Sequence, residues 1–277
     1  MAAPVPAVAP RPAAEAPPPD RAPAANDRAA AALSLGAGAV PGAVLGLAAG
    51  LIGGIIAGVV VAVVVTVVVA VLVWRGSTGV VVRLVGAREP RPGEDDRLAN
   101  LTDGLCATFG LRTPALMVVD DPVPNTCSLG RDAGAVMIVT TGLLEDLGLI
   151  EMEGVVAHEL AHLRRHDGLR AAVATTVLAP LARLTGHDGL LHRALGPGRQ
   201  FEADQVAVEA VRYPPGLRHA LAAMEAGPPP AAGSPFSARR LATTRWLWCD
   251  PMVGRRGDAS IGDLDDTSVR VASLDLV

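Results

Sequence analysis

The stretch GVVAHELAHLRRHD, residues Gly154–Asp167, holds two histidines whose spacing suits metal binding. On an α-helix His158 and His162 lie one turn apart on one face, so both imidazoles reach the same ion, and Glu159 stands beside them. Metallohydrolases use this arrangement: two imidazoles hold Zn²⁺ and a carboxylate takes a proton from water. The motif therefore predicts zinc as the cofactor, His158 and His162 as ligands and Glu159 as the catalytic general base.

A third ligand must come from outside this helix. His166 follows at the same spacing, but eight helical residues separate it from His158 by about 12 Å, too far for one ion. Three other histidines lack a paired spacing and are interpreted as loop or surface residues: His187, His192 and His219. The best candidate is GRQFEADQVAVEA, Gly198–Ala210, which predicts a second amphipathic helix with acidic residues.

A long apolar segment precedes the motif. No charged residue occurs from Ala29 to Trp74, and Ile55–Trp74 alone supplies the roughly 20 apolar residues that cross a bilayer. We favour one span, and a hairpin turning at Gly53 and Gly54 is the alternative. The residues before it are rich in proline and alanine and predict a disordered tail.

Positive charges after the apolar segment predict its orientation. Four arginines follow closely, and the positive-inside tendency places the C-terminal part in the cytoplasm: Arg75, Arg83, Arg88 and Arg91. A hairpin would place it there as well. The cell membrane, with the catalytic domain in the cytoplasm, is therefore the predicted location.

The soluble part begins near Arg97 and predicts an α+β fold, mostly helical with a small sheet. Two short segments rich in β-branched residues predict strands, ALMVVDD and AVMIVTT, and most of the rest has helical spacing. The net charge of −4 argues against a nucleic-acid partner. The three cysteines lack a C-x-x-C pair, which predicts buried thiols and neither a disulfide framework nor a cysteine zinc site.

Four motifs in order resemble membrane-anchored gluzincin metallopeptidases of the HtpX-like and CAAX-prenyl-protease-like kind: PNTCSLGR, VTTGLLEDL, AHELAH and FEAD. The resemblance covers about Arg97–Tyr213. It implies a zincin-like fold and a membrane-anchored zinc endopeptidase whose partners are the bilayer and protein or peptide substrates, including membrane proteins. The domains expected on this basis are a disordered tail, a transmembrane region, a linker and a metalloprotease domain: 1–32, 33–74, 75–96 and 97–277.

The resemblance also assigns residues outside the opening motif. In such proteins the third ligand is a glutamate four residues before Asp204, and here that position is Gln200. Glu202 is the fallback ligand, although two residues of helix turn it about 200° from the face of Gln200. Asp204 is expected to orient a ligand, and Asn125 to border the substrate cleft. Because a neutral amide binds zinc more weakly than a carboxylate, a pseudoprotease with a binding or regulatory role is the alternative function.

Overall fold

The computed structural model describes residues 21–185, 189–230, 233–252 and 265–276. These residues are mostly helical with a small three-stranded sheet, which confirms the fold class predicted from the sequence. The described helices are α1 (Ala22–Gly53), α2 (Ile55–Val85), α3 (Asp96–Phe109), α4 (Thr141–Asp146), α5 (Leu149–Arg164), α6 (Asp167–Thr185), α7 (Gly189–Leu195), α8 (Arg199–Val211), α9 (Pro214–Ala226), α10 (Ala238–Thr244) and α11 (Thr267–Leu274). The described strands are β1 (Ala115–Val119), β2 (Thr126–Leu129) and β3 (Val136–Thr140).

Helices α1 and α2 form an antiparallel hairpin that turns at Gly54, where φ is 84°. Both are long and apolar enough to cross a membrane. Their close approach depends on glycine: a Cβ on Gly42 would lie 2.2 Å from Thr66 Oγ1, and one on Gly46 would lie 2.6 Å from Ala62 Cβ. Small residues one turn apart allow such packing between apolar helices. The structure thus contains the hairpin and differs from the single span favoured from the sequence.

The first helix begins earlier than the sequence predicts. Residues 1–32 are predicted to be a disordered tail, yet α1 starts at Ala22. Its first turns are held by the rest of the chain, because Ala30 is fully buried against Leu169 and Val173 of α6. The predicted disorder of residues 1–20 lies outside the described residues.

The second helix also extends beyond the predicted membrane region. Residues 75–96 are predicted to be a linker, whereas α2 continues to Val85. Val81 and Val85 are buried in a cluster that includes residues of the sheet and of α6, so packing against the soluble part prolongs the helix. The remaining residues 86–95 connect α2 to α3.

The sheet has the order β1-β3-β2, with β1 parallel and β2 antiparallel to β3. In this register Ile138 lies between Met117 and Cys127. Strand β2 is at one edge and lies beside α5, where Ser128 Oγ donates a hydrogen bond to the main-chain oxygen of Glu159 at 3.1 Å. The sheet therefore supports the helix that carries the histidine motif.

Helix α5 is the centre of the soluble part. All of its residues from Gly154 to Leu163 are buried. A Cβ on Gly154 would lie 2.6 Å from the main-chain nitrogen of Leu217, so glycine permits the close packing of α9. Helix α8 packs against α5 and buries Gln200 and Asp204 at the contact. The fold thereby brings the AHELAH segment of α5 against the helix that carries FEAD.

Candidate metal centre

Three donor atoms converge between α5 and α8. Oε1 of Gln200 lies 2.9 Å from Nε2 of His158 and 2.9 Å from Nε2 of His162. The two Nε2 atoms lie 3.2 Å apart. All three side chains are buried. The third-ligand position implied by the resemblance is thus in contact with both histidines.

The far side of each imidazole faces a carboxylate. Nδ1 of His158 lies 2.7 Å from Oδ1 of Asp204, and Nδ1 of His162 lies 3.1 Å from Oδ2 of Asp167. A carboxylate beside Nδ1 favours a proton on that nitrogen and so selects the tautomer whose Nε2 carries a free lone pair. Burial also lowers the pKa of His162, which favours the neutral ring near pH 7.

This donor set fits a metal ion. With both Nδ1 atoms protonated, the two Nε2 lone pairs and the amide oxygen all point into one buried space, where they repel each other unless a cation lies among them. Ligands of a tetrahedral zinc ion lie about 3.3 Å apart, close to the three separations found here. His158, His162 and Gln200 are therefore suited to hold zinc.

Contacts of its amide group fix the orientation of Gln200. Its Nε2 donates to the main-chain oxygen of Trp248 at 3.0 Å, and its main-chain N–H donates to Oδ1 of Asp265 at 2.9 Å. Since a carbonyl oxygen only accepts hydrogen bonds, the amide nitrogen must face Trp248. The amide oxygen is consequently turned toward the two histidines.

Asp204 is held in place by a buried arginine. Nε and Nη2 of Arg270 lie 2.6 and 2.8 Å from its two carboxylate oxygens. Burial alone would raise the pKa of Asp204, but the Arg270 guanidinium outweighs it and lowers that pKa to about 2. The carboxylate facing His158 is therefore charged at neutral pH.

Glu159 lies beside the three donor atoms, next to His158 in the chain. Its side chain is buried, and Oε2 has no hydrogen-bond partner among the described residues. His158, Glu159 and Cys249 each offer a ligand atom, and these atoms lie within 4.8 Å of one another. Burial raises the pKa of Cys249 to about 12, so it remains a thiol, whereas zinc is bound by the thiolate. Cys249 thus lines the site, and all three cysteines are free and buried, as predicted.

Two other candidates from the sequence lie away from this centre. Glu202 is exposed and forms an ion pair with Arg165, so the fallback ligand points away from the histidines. His166 adopts a φ of 59° after the end of α5, and its Nδ1 lies 3.1 Å from Oδ1 of Asp27. This position agrees with its exclusion as a ligand.

The remaining histidines also lie elsewhere. His192 lies against Asp265, with its Nε2 3.0 Å from Oδ2, and stacks on Trp246. His219 is exposed on α9. His187 lies outside the described residues.

Asn125 does not line an open cleft. It is buried, and its Nδ2 donates to the main-chain oxygen of Asp250 at 2.8 Å, while the N–H of Asp250 donates back to its Oδ1 at 3.1 Å. The N–H of Cys249 donates to the main-chain oxygen of Thr126 at 2.8 Å. This end of β2 is therefore covered by the chain's own Cys249 and Asp250, and Asn125 does not border an open cleft as expected from the resemblance.

Several site residues were not singled out by the sequence. Asp167 is the last residue of the segment Gly154–Asp167, and its position five residues after His162 is the sequence feature that could have indicated their contact. Arg270 and Trp248 offered none, because they reach the site from 66 and 48 positions beyond their partners.

The comparisons with known proteins agree with this geometry. Residues 92–201 match the sequence model of Peptidase family M48, and this segment includes both histidines, Glu159 and Gln200. This segment is therefore similar to Peptidase family M48.

The chain is also similar to proteins named Protease HtpX homolog, which confirms the resemblance seen in the sequence. It is 31% identical over 183 residues to the Protease HtpX homolog of Dictyoglomus thermophilum, covering 53% of this chain and 60% of that protein. It is 30% identical over 174 residues to the Protease HtpX homolog of Salinibacter ruber, covering 54% of this chain and 63% of that protein. The chain thus spans about three fifths of these relatives. No solved structure matches it significantly.

Proposed function

We propose that the chain is a membrane-anchored zinc endopeptidase. The observation that carries this proposal is the convergence of the donor atoms of His158, His162 and Gln200 beside Glu159. Oε2 of Glu159 has no hydrogen-bond partner in the described part of the chain. The M48 match and the HtpX-named relatives support the same activity. Substrates of this activity are proteins or peptides, and the apolar hairpin makes membrane proteins accessible to it.

The chain's own residues provide the parts of a hydrolytic mechanism. Bound zinc would polarise the substrate carbonyl and make water more acidic. His158, His162 and Gln200 would hold the ion, while Asp204 and Asp167 keep the imidazole rings oriented. Glu159 takes a proton from the attacking water and delivers it to the leaving amine as the peptide C–N bond breaks.

A pseudoprotease is the second candidate, and Gln200 is the observation that favours it. The three donors are neutral, so the charge of a zinc ion is compensated only by carboxylates outside the ligand set. The intact Glu159 favours the enzyme, because a binding protein has no need of a base beside both histidines. The two candidates differ in whether zinc restores peptide cleavage.

The test is zinc reactivation of the full chain. Protein purified in detergent is expected to cleave unfolded casein, to stop when a chelator removes zinc, and to recover as zinc is added back. Cleavage that a chelator does not affect would contradict a metal-dependent mechanism. Zinc binding without any cleavage would favour the pseudoprotease.

In the same titration Gln200→Glu is expected to reach half-maximal activity at a lower zinc concentration. An anionic ligand replaces a neutral one, and changes around metal sites commonly alter affinity by roughly 10- to 100-fold. Glu202→Gln is the matched control, because Glu202 is on the same helix but exposed. Weaker zinc binding by Glu202→Gln than by the wild type would show that Glu202, and not Gln200, faces the metal.

We further propose that the catalytic domain faces the cytoplasm. Arg75 and Arg83 lie in the C-terminal third of α2, Arg83 in its last turn, on the side of the hairpin where the domain begins. A reporter protein that functions only in the cytoplasm is expected to be active when it is fused after residue 276. Activity of an exclusively periplasmic or extracellular reporter at the same position would contradict this orientation.

A further inference from the structure

The N-terminal end of α1 docks beside the zinc-binding helix. Asn26 is 5% exposed, in a segment whose composition predicts disorder. Its neighbour Asp27 pairs with Arg131 at 2.6 Å and lies against His166. The hairpin therefore contacts the soluble domain close to the end of α5.

The side chain of Asn26 is fully used in hydrogen bonds. Its Nδ2 donates to Oδ1 of Asp167 and, at 2.9 Å, to the main-chain oxygen of Arg165. Its Oδ1 accepts from Nη1 of Arg170 at 3.0 Å. Since one amide group bridges three residues around the start of α6, its orientation is fixed.

Asp167 connects this contact to the metal centre. One of its oxygens accepts the bond from Asn26, and the other lies 3.1 Å from Nδ1 of His162. The carboxylate is buried, so its position depends on its partners and not on water. A rotation of the Asp167 carboxylate would tilt the imidazole and move Nε2 away from the ion.

We propose that Asn26 is a positioning residue, which acts through Asp167 to hold His162 in its ligand geometry. The inference rests on the proposed zinc function. It gives the membrane hairpin a direct part in the active site, because α1 supplies a hydrogen bond that the soluble domain lacks on its own. Asp27 anchors the same end of α1 without contacting Asp167. Comparing the two residues therefore distinguishes an effect on the orientation of His162 from an effect on the docking of α1.

The test measures zinc affinity in the full chain by competition with a chromogenic chelator. Asn26→Ala is expected to weaken zinc binding roughly 3- to 30-fold, the range of coupling through one packed contact. Asp27→Ala is expected to leave the affinity close to wild type. In an Asp167→Asn background, Asn26→Ala is expected to cause no further loss, because the path to His162 is already broken.

A second measurement follows His162 without relying on metal or activity. In protein labelled with ¹⁵N-histidine, the Nδ1–H resonance of His162 is expected to shift in Asn26→Ala but not in Asp27→Ala. The proposal is overturned if Asn26→Ala changes neither readout, or if its effect equals that of Asp27→Ala and persists without Asp167. Absence of zinc binding by the wild type would contradict the proposed function, and the histidine resonance would still decide the role of Asn26.

Discussion

Glu159→Gln is expected to abolish detectable peptidase activity while zinc content and thermal unfolding remain those of the wild type. The amide keeps the size of the side chain but cannot take a proton from water, and loss of a general base lowers rates by roughly 10²- to 10⁴-fold. Because Oε2 has no hydrogen-bond partner among the described residues, the substitution disrupts no described contact of that atom. Casein cleavage and elemental analysis on the same preparation provide the measurement.

Glu151→Gln is the control for this variant, because Glu151 is in the first turn of the same helix and lies outside the site. It is expected to cleave at the wild-type rate. Cleavage by Glu159→Gln at that rate would assign the base to another residue. A loss of zinc in Glu159→Gln would instead place Glu159 among the ligands.

Part of the site can be predicted from residues that are close together in the sequence. His158 and His162 share a face because of helix geometry alone, so their pairing follows from a spacing of four residues. The same geometry turned Glu202 away from Gln200. His166 also lies apart from the pair, but for a different reason, because α5 ends at Arg164. Features that depend on one helix were therefore predictable.

Contacts between distant segments were not predictable in the same way. Arg270 reaches Asp204 only because α11 packs near α8, and no spacing in the sequence relates the two. Asn26 lies in a stretch whose composition indicates disorder, and its burial arises from the docking of α1. The covering of Asn125 by Asp250 likewise depends on how the C-terminal segment returns to the sheet.

The hairpin is an intermediate case. Gly38, Gly42 and Gly46 recur at every fourth position, a pattern that favours close packing of apolar helices. Their burial against α2 shows that the signal for two helices was present in the sequence. The hydropathy of α1, 1.9, is lower than the 3.3 of the valine-rich α2, so α2 gives the stronger signal of a span.

His158→Ala and His162→Ala are each expected to lose zinc and with it peptidase activity. Each change removes one of three protein donors and leaves a buried carboxylate, Asp204 or Asp167, without its imidazole partner. The loss of affinity is expected to exceed the roughly 10- to 100-fold that follows changes in residues behind the ligands. His166→Ala is the matched control, because this histidine lies near the same helix end but contacts Asp27.

Zinc content per chain in these four proteins tests the proposed metal centre most directly. Elemental analysis of the full chain, purified without chelators, is predicted to find about one zinc ion in the wild type and in His166→Ala, as one three-ligand site requires. His158→Ala and His162→Ala are predicted to contain almost none. Equal zinc in all four proteins, or none in the wild type, would contradict a zinc centre formed by His158, His162 and Gln200.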